Sequence, residues 1–330
     1  MTTERDLDIL VIGELNPDVI VSDPDPVPTF GEVERLVGSI HLTVGSSSAI
    51  FACGAARLGL EVAFFGVVGD DAFGRFMLEA LRGRGIDVST VLVDPSLPTG
   101  ASVILTSGRD RAILTALGTI AAMDVDLVPA ALLARARHLH SGCFYMQETS
   151  RSRLPAFFAS ARARGITTSF DTNWDPTGAW DGGVREMLRA SDVFFPNAAE
   201  ARLISGVGDV EEAARALARI GAEGRSDGGP IVAVKLGAEG ALACFADGPV
   251  IRVPALPADP IDTTGAGDSF NAGFLRAWLD GADLSGSLRY GAACGALSTR
   301  ALGGVDAQPT RDEVALAITS NAGTATDGTA

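Results

Sequence analysis

The chain has 330 residues, 47% of them hydrophobic, and a net charge of −15. That length allows one large domain or a domain with an appendage, with enough apolar content for a real core. The charge argues against nucleic acid and anionic membrane surfaces as partners. The absence of a run of about 18 apolar residues argues against a membrane span. The start, MTTERDLDIL, does not resemble a secretory signal, and four scattered cysteines without a C-x-x-C pair fit buried thiols in the cytoplasm. Three histidines outside any H-E-x-x-H pattern argue against zinc.

Taken in order, LDILVIG (7–13) reads as a buried strand ending at glycine. SSAIFACGAARLG (47–59) reads as a helix closing on Gly59, EVAFFGVVG (61–69) as a strand, and DAFGRFMLEALRGRG (71–85) as a helix. Strand-like ARHLHSG, ITTSFDTN, SDVFFPN and PIVAVKLG then alternate with helix-like LPAFFASARARG, VREMLRA and EEAARALARIG. Repeated β-α-β-α predicts an α/β fold whose parallel sheet is covered on both faces. Two stretches break the rhythm. Residues 18–43 are proline-rich and then alternate with period two, and 99–117 hold two β-rich runs around a Gly-Arg-Asp turn. They predict a small antiparallel sheet outside the main one, as a lid over a cleft or as edge strands. The reading adopted is one domain over 1–320, a lid from about 16–43 and 97–118, and a disordered tail at 321–330 for want of apolar residues.

The chemistry concentrates in DTTGAGDSF (262–270). Gly265, Ala266 and Gly267 precede a helix expected to run to about Asp280. Their backbone N–H groups can converge on one point, where the helix N-terminus adds about half a positive charge. Asp268 then falls in the first turn. It can cap the helix, or act as a general base beside an anion hole, a pairing that suits phosphoryl transfer to an alcohol. Of the 26 basic residues only Lys235 is lysine. Arginine-rich codon usage explains the other positions, whereas a site that prefers a compact ammonium would explain the survivor. Neither a P-loop nor a dinucleotide glycine fingerprint is present.

DTTGAGDSFNAGF (262–274) closely resembles the second signature of the PfkB (ribokinase-like) family of carbohydrate kinases. VIGELNPDVIV resembles that family's first strand with a sugar-binding Asn-x-Asp, FFPNAAEA its N-x-x-E element, and VKLGAEGAL its nucleotide-binding strand-turn. The similarity spans roughly 7 to 318. It implies a ribokinase-like three-layer α/β/α sandwich with a mostly parallel central sheet, and an ATP-dependent, Mg²⁺-requiring kinase for a sugar or sugar-like molecule. By the same resemblance Asp268 is the base, and the amides of Gly265, Ala266 and Gly267 form the hole. Asn197 approaches the phosphates, and Glu200 holds Mg²⁺ through water. Lys235 reaches the ATP phosphates, while Gly237 and Gly240 let the backbone pass close to the nucleotide. Asn16, Asp18, Gly45 and Ser46 line the substrate side. Asp262 and Thr264, with carbonyls at Ser298, Ala301 and Gly303, match a monovalent-cation site for K⁺, although Ala307 stands where some members offer a serine. Apart from the resemblance, a lid sheet with exposed edges could pair two subunits, so a homodimer through the lid is a further expectation.

Several of these residues also fit plainer roles. Asn197 and Glu200 suit ordinary helix capping, LGAEG a β-turn, and NPD a solvated strand end. The sequence also leaves the family pattern. GSSSAI (45–50) stands for the usual G-G-x-G-A-N, so that Ser46 and Ser48 replace glycines and Ile50 replaces an asparagine. Serines 46 to 48 can offer hydroxyl donors there. Asp175 stands where relatives acting on sugar acids carry arginine, Trp174 can stack on a ring or pack in the core, and Ala292 stands where some relatives place asparagine near the adenine. Arg109 and Arg111 on the hairpin can meet an anionic substrate or solvent. The competing readings are a nucleoside kinase on the same scaffold, a non-catalytic sugar-binding protein, and a serine hydrolase using GSSSA with His138 or His140.

Overall fold

The computed structural model describes residues 5–107 and 110–324. The chain opens with strands β1 (Leu7–Ile12), β2 (Pro17–Ser22) and β3 (Ser39–Val44), then helix α1 (Ser47–Arg57), β4 (Val62–Phe65), β5 (Val67–Gly69) and α2 (Ala72–Arg82). β6 (Leu92–Asp94), β7 (Ala101–Ser107), β8 (Asp110–Ala116), α3 (Ala130–Arg135), β9 (Ala136–Ser141), α4 (Leu154–Ala163) and β10 (Thr167–Phe170) follow. α5 (Val184–Ala190), β11 (Val193–Phe194), α6 (Ala198–Ser205), α7 (Val210–Ala222), β12 (Ile231–Lys235), β13 (Ala241–Cys244) and β14 (Ile251–Val253) come next. Three helices, α8 (Ala266–Leu279), α9 (Leu284–Ser298) and α10 (Arg311–Thr324), close the chain.

Eight strands form the main sheet in the order β14-β13-β12-β11-β10-β9-β1-β4, parallel except for the antiparallel pairs β12–β13 and β13–β14. Alternation along β1 sends Leu10 and Ile12 to one face and Ile9 and Val11 to the other. Each pair joins a separate apolar core, one packed under α3 to α7 and one under α1, α2, α8 and α9. This is the expected three-layer sandwich. The predicted strand at 61–69 divides at Gly66, where a Cβ would lie 2.7 Å from the Gly13 carbonyl oxygen.

His138 and His140 lie on one face of β9, wholly buried, with His138 Nε2 and His140 Nδ1 each 2.7 Å from Ser169 Oγ. The His140 ring stacks on Phe51 at 3.7 Å. Burial holds both rings neutral, taking His138 down to about 3. Both histidines are bonded to Ser169 inside the core and neither to a serine of GSSSA, which removes the hydrolase reading.

The two stretches that broke the rhythm form one separate sheet, β3-β2-β7-β8. β2–β3 and β7–β8 are antiparallel, and the two hairpins join through a parallel β2–β7 pair. Arg109 lies outside the described residues. Helix α10 continues to Thr324, four residues into the stretch expected as a disordered tail, and 325–330 lie outside the described residues. Among the described residues no helix is long and apolar enough to cross a membrane.

Candidate active site

The chain leaves β1 to β4 on one side of the sheet and to β9 on the other, so the β1–β9 boundary is a topological switch point. A crevice at the carboxyl ends of the strands is the expected ligand site there. A cleft of about 1270 Å³ lies at that edge. Its floor carries Glu14 and Asn16 after β1, Cys143 after β9, Asp171 and Asn173 after β10, Asn197 after β11, and Lys235 at the end of β12. Asp18, Ser102, Ile104, Arg111, Ile113 and Thr115 of the small sheet form the facing wall.

Helix α8 brings its N-terminus to the same space. Gly265 is its N-cap at φ +70°, and no side chain caps the helix. A Cβ on Gly265 would meet Gly304 Cα at 2.7 Å and Ile50 Cγ2 at 2.8 Å. Only glycine fits this left-handed, crowded position. The Ala266 amide turns back to the Thr263 carbonyl at 3.3 Å, while the Gly265 and Gly267 amides make no hydrogen bond among the described residues. Asp268 follows, nine-tenths buried. Burial raises its carboxyl well above the usual range, with Asp171 and Glu14 adding to the rise and Lys235 and the Ser47 hydroxyl opposing it.

Lys235 crosses in front of Gly267, where a Cβ would lie 3.4 Å from Lys235 Nζ. The ammonium donates to Asp171 Oδ2 at 2.5 Å. The same oxygen accepts from Asn271 Nδ2 at 2.7 Å, and Oδ1 accepts from the Asn173 amide at 3.3 Å. Burial alone would pull the lysine down, but Asp171 and Glu200 outweigh it and the net shift is upward. Asn197 and Glu200 form a reciprocal capping box at the start of α6, as the plainer reading has it. One carboxylate oxygen of Glu200 accepts from the Asn197 amide at 2.8 Å, while the residue still lines the cleft. Burial and Asp171 push Glu200 up to about 7, against Lys235.

GSSSAI departs from its family's pattern for a visible reason. Glu14 is buried beneath it. The Ser48 amide and Ser46 hydroxyl lie 3.1 Å from Glu14 Oε1, and the Ser48 hydroxyl donates to Oε2 at 2.7 Å. Ser46 also donates to the Glu14 carbonyl at 2.6 Å and caps α1 through the Ala49 amide. The hydroxyls of Ser46 and Ser48 are therefore turned inward, and Ser47 is the one that reaches the cleft side, 2.5 Å from Asn173 Nδ2. Ile50 packs against Gly265 and Gly304 at the edge of the cleft. Gly45 sits against Asp18, where a Cβ would lie 2.1 Å from Oδ1.

The remaining expected residues divide. Gly237 and Gly240 line the cleft, but Gly240 is glycine because a Cβ would lie 2.1 Å from the Val253 carbonyl oxygen. Asp262 is clasped by its neighbours: Oδ1 accepts from the Thr264 amide and hydroxyl at 2.9 and 2.8 Å, and Oδ2 from the Gly303 amide at 2.9 Å. Arg111 donates to Thr264 Oγ1 at 3.0 Å. The expected carbonyls belong to Ser298, the last residue of α9, and to Ala301 and Gly303 in the loop after it. Asp175 accepts from the Thr177 and Trp180 amides at 2.9 and 2.7 Å and does not line the cleft. Trp174 stands at the mouth, edge-on to Trp180. Ala292 lines the cleft. Sequence reasoning missed Glu14, Asp171 and Asn271. Asp171 opens DTNWDP, where attention fell on the tryptophan and the second aspartate.

An α/β sandwich with a β lid and a glycine-turn-aspartate at its switch-point cleft defines the ribokinase-like class. A ribokinase from Arabidopsis thaliana, solved with ribose and ATP, superposes with a TM-score of 0.79 at 25% identity over 94% of this chain and 98% of that one. A 2-dehydro-3-deoxygluconokinase from Thermoproteus tenax is 30% identical over 94% of each chain. A nucleoside kinase from Methanothermobacter thermautotrophicus is 30% identical over 88% of each. The pfkB family carbohydrate kinase profile matches residues 6–311, and the chain belongs to that family. It is accordingly a carbohydrate kinase.

The Gly265 geometry yields a stability test. Gly265→Ala should destabilise the fold by about 2 kcal/mol or more, through both the positive φ and the collision with Gly304. Thermal denaturation reads this as a clearly lowered Tm, and a Tm unchanged from wild type would mean the turn relaxes freely.

Proposed function

We propose that the protein transfers the γ-phosphoryl group of ATP to a hydroxyl of a sugar-like acceptor, with Asp268 as general base. The observation that carries this reading is the juxtaposition at the start of α8. A buried carboxylate adjoins two backbone amides without protein partners, and the Lys235 ammonium lies across them. In the step proposed, the acceptor O–H gives its proton to Asp268 and its oxygen attacks the γ-phosphorus. The bond to the β–γ bridging oxygen breaks, and ADP leaves with the electron pair. Burial, with Asp171 and Glu14, raises the Asp268 carboxyl and so makes it a stronger proton acceptor than an ordinary carboxylate. The Gly265 and Gly267 amides, with the helix dipole, stabilise charge on the transferred group. Lys235, held by Asp171, offers a positive charge to the phosphates.

Glu200 fits the role of holding Mg²⁺ through water: its carboxylate is buried, lines the cleft, and has one oxygen beyond the Asn197 cap. The ion, when bound, neutralises phosphate charge. Asn16 and Asp18 face the acceptor. A nucleoside is the second reading for that acceptor, favoured by the apolar walls of Ile50, Ile104, Ile113 and Met146. Four buried, unbridged cysteines support a reducing, cytoplasmic setting.

Asp268→Asn should leave nucleotide binding nearly intact while turnover falls about 10² to 10⁴-fold. Near-normal turnover would remove Asp268 from the base role.

We also propose that the reaction runs without a monovalent cation. The Arg111 guanidinium donates to Thr264 and so places a fixed positive charge beside Asp262, whose carboxylate accepts three protein donors. Activity should be equal with potassium, sodium or tetramethylammonium chloride. Loss of most of the activity without potassium would overturn this.

Two copies are further proposed to pair through the outer face of the lid. Val19, Leu42, Val103 and Leu114 are cross-strand partners on the face opposite Asp18, Ser102 and Thr115, and Leu42 and Leu114 are 46% and 63% exposed. An apolar sheet face of this kind is covered by association, and a twofold axis lets it cover itself. Sedimentation should report a dimer that Leu42→Glu converts to a monomer, and a monomeric wild type would exclude the pairing.

A further inference from the structure

The acceptor end of the cleft gathers three carboxylates, Glu14, Asp18 and Asp268, each no more than a tenth exposed. Each senses another. Asp18 is pushed up to about 7 by burial, with Arg111 opposing and Asp262 and Glu14 adding, and Glu14 likewise adds to the rise of Asp268. Of the cations nearest to them, Lys235 is paired with Asp171, and Arg111 donates to the neutral Thr264 hydroxyl and acts on Asp18 without a hydrogen bond to it.

Two details point to a ligand rather than to an acidic surface. The Asp18 carboxylate is 6% exposed, lines the cleft, and accepts no hydrogen bond among the described residues. Glu14 is surrounded by donors: the Ser48 amide, the Ser48 hydroxyl and the Ser46 hydroxyl all lie within hydrogen-bonding distance of its carboxylate oxygens. A neutral acid or an amide at position 14 would set a donor against the Ser48 amide and hydroxyl, so these oppose the rise that burial imposes on the Glu14 carboxyl. Among the described residues no cation is hydrogen-bonded to Glu14 or Asp18. A buried charge without a partner is costly, and a bound cation relieves that cost.

We propose that the phosphoryl acceptor is a hydroxyl compound carrying a protonated amine, its ammonium on the side lined by Glu14 and Asp18 and its hydroxyl facing Asp268. This rests on the kinase reading above. The ammonium supplies a hydrogen-bonded counter-charge, and Ile104 and Ile113 shield it from water. Sugar acids and sugar phosphates would add a like charge to the same space and are selected against.

The test is an ADP-release assay on the wild-type enzyme at pH 7.5 and fixed ionic strength, using matched pairs. Each pair is a hexose, pentose or nucleoside and its analogue with one hydroxyl replaced by an amino group, with the N-acetylated analogue as the uncharged control. For at least one pair the amine should exceed its parent in kcat/KM by about tenfold or more, as a charge-assisted hydrogen bond allows, and acetylation should abolish the gain. The advantage should grow as pH rises through about 7, where Asp18 ionises, and fall again once the amine loses its proton, at about 8. Glu14→Gln should shrink the amine-to-parent ratio at least about fivefold. Parents turned over as well as or better than every amine, an N-acetylated analogue matching its amine, or an unchanged ratio in Glu14→Gln would each overturn the inference while leaving the kinase reading intact. ADP release with no member of any pair would overturn both.

Discussion

One ammonium organises the charged floor of this cleft. Lys235 lies among Asp171, Glu200 and Asp268, and its bond to Asp171 joins the end of β12 to the end of β10. Asp171 in turn grips Asn271 on α8. The pair therefore fixes how α8 stands against the sheet. Three carboxylates crowded into a desolvated space repel one another, and one central positive charge makes the arrangement tolerable. The requirement is for a point charge on a flexible stem that can pass over Gly267, which a planar guanidinium fork does not meet. In a chain whose other basic residues are all arginine, this explains the single lysine better than codon usage does.

Backbone geometry supplies the second constraint. Gly265 must be left-handed and must tolerate Gly304 and Ile50 at contact distance, so the turn has a single solution. Ile50, an outlier against the family pattern, turns out to be a packing partner of that turn. Ser46 and Ser48 beside it turn their hydroxyls to Glu14, while Ser47 reaches the cleft side. Much of a loop that looked like a rewritten contact surface is the covering layer of a buried carboxylate.

The overall architecture was legible in the sequence because parallel strands buried on both faces leave continuous apolar runs, and because proline and period-two alternation mark the lid. The placement of Asp268 beside its glycines at a helix start was legible because DTTGAGDSF is local: the turn, the helix start and the acid are contiguous. Glu14, Asp171 and Asn271 were not, because their significance is long-range. Asp171 and Asn271 are a hundred residues apart, and Glu14 meets its serines across more than thirty. The strand break at Gly66 was equally invisible, since it comes from the approach of the Gly13 carbonyl.

Residues 13–16 are the whole connection between the last residue of β1 in the main sheet and the first of β2 in the lid. Glu14 and Asn16 therefore line the cleft from the joint between the two sheets. A substitution at either position changes the cleft wall and that joint together, so a loss of ligand affinity and a shift of the small sheet arrive in the same variant.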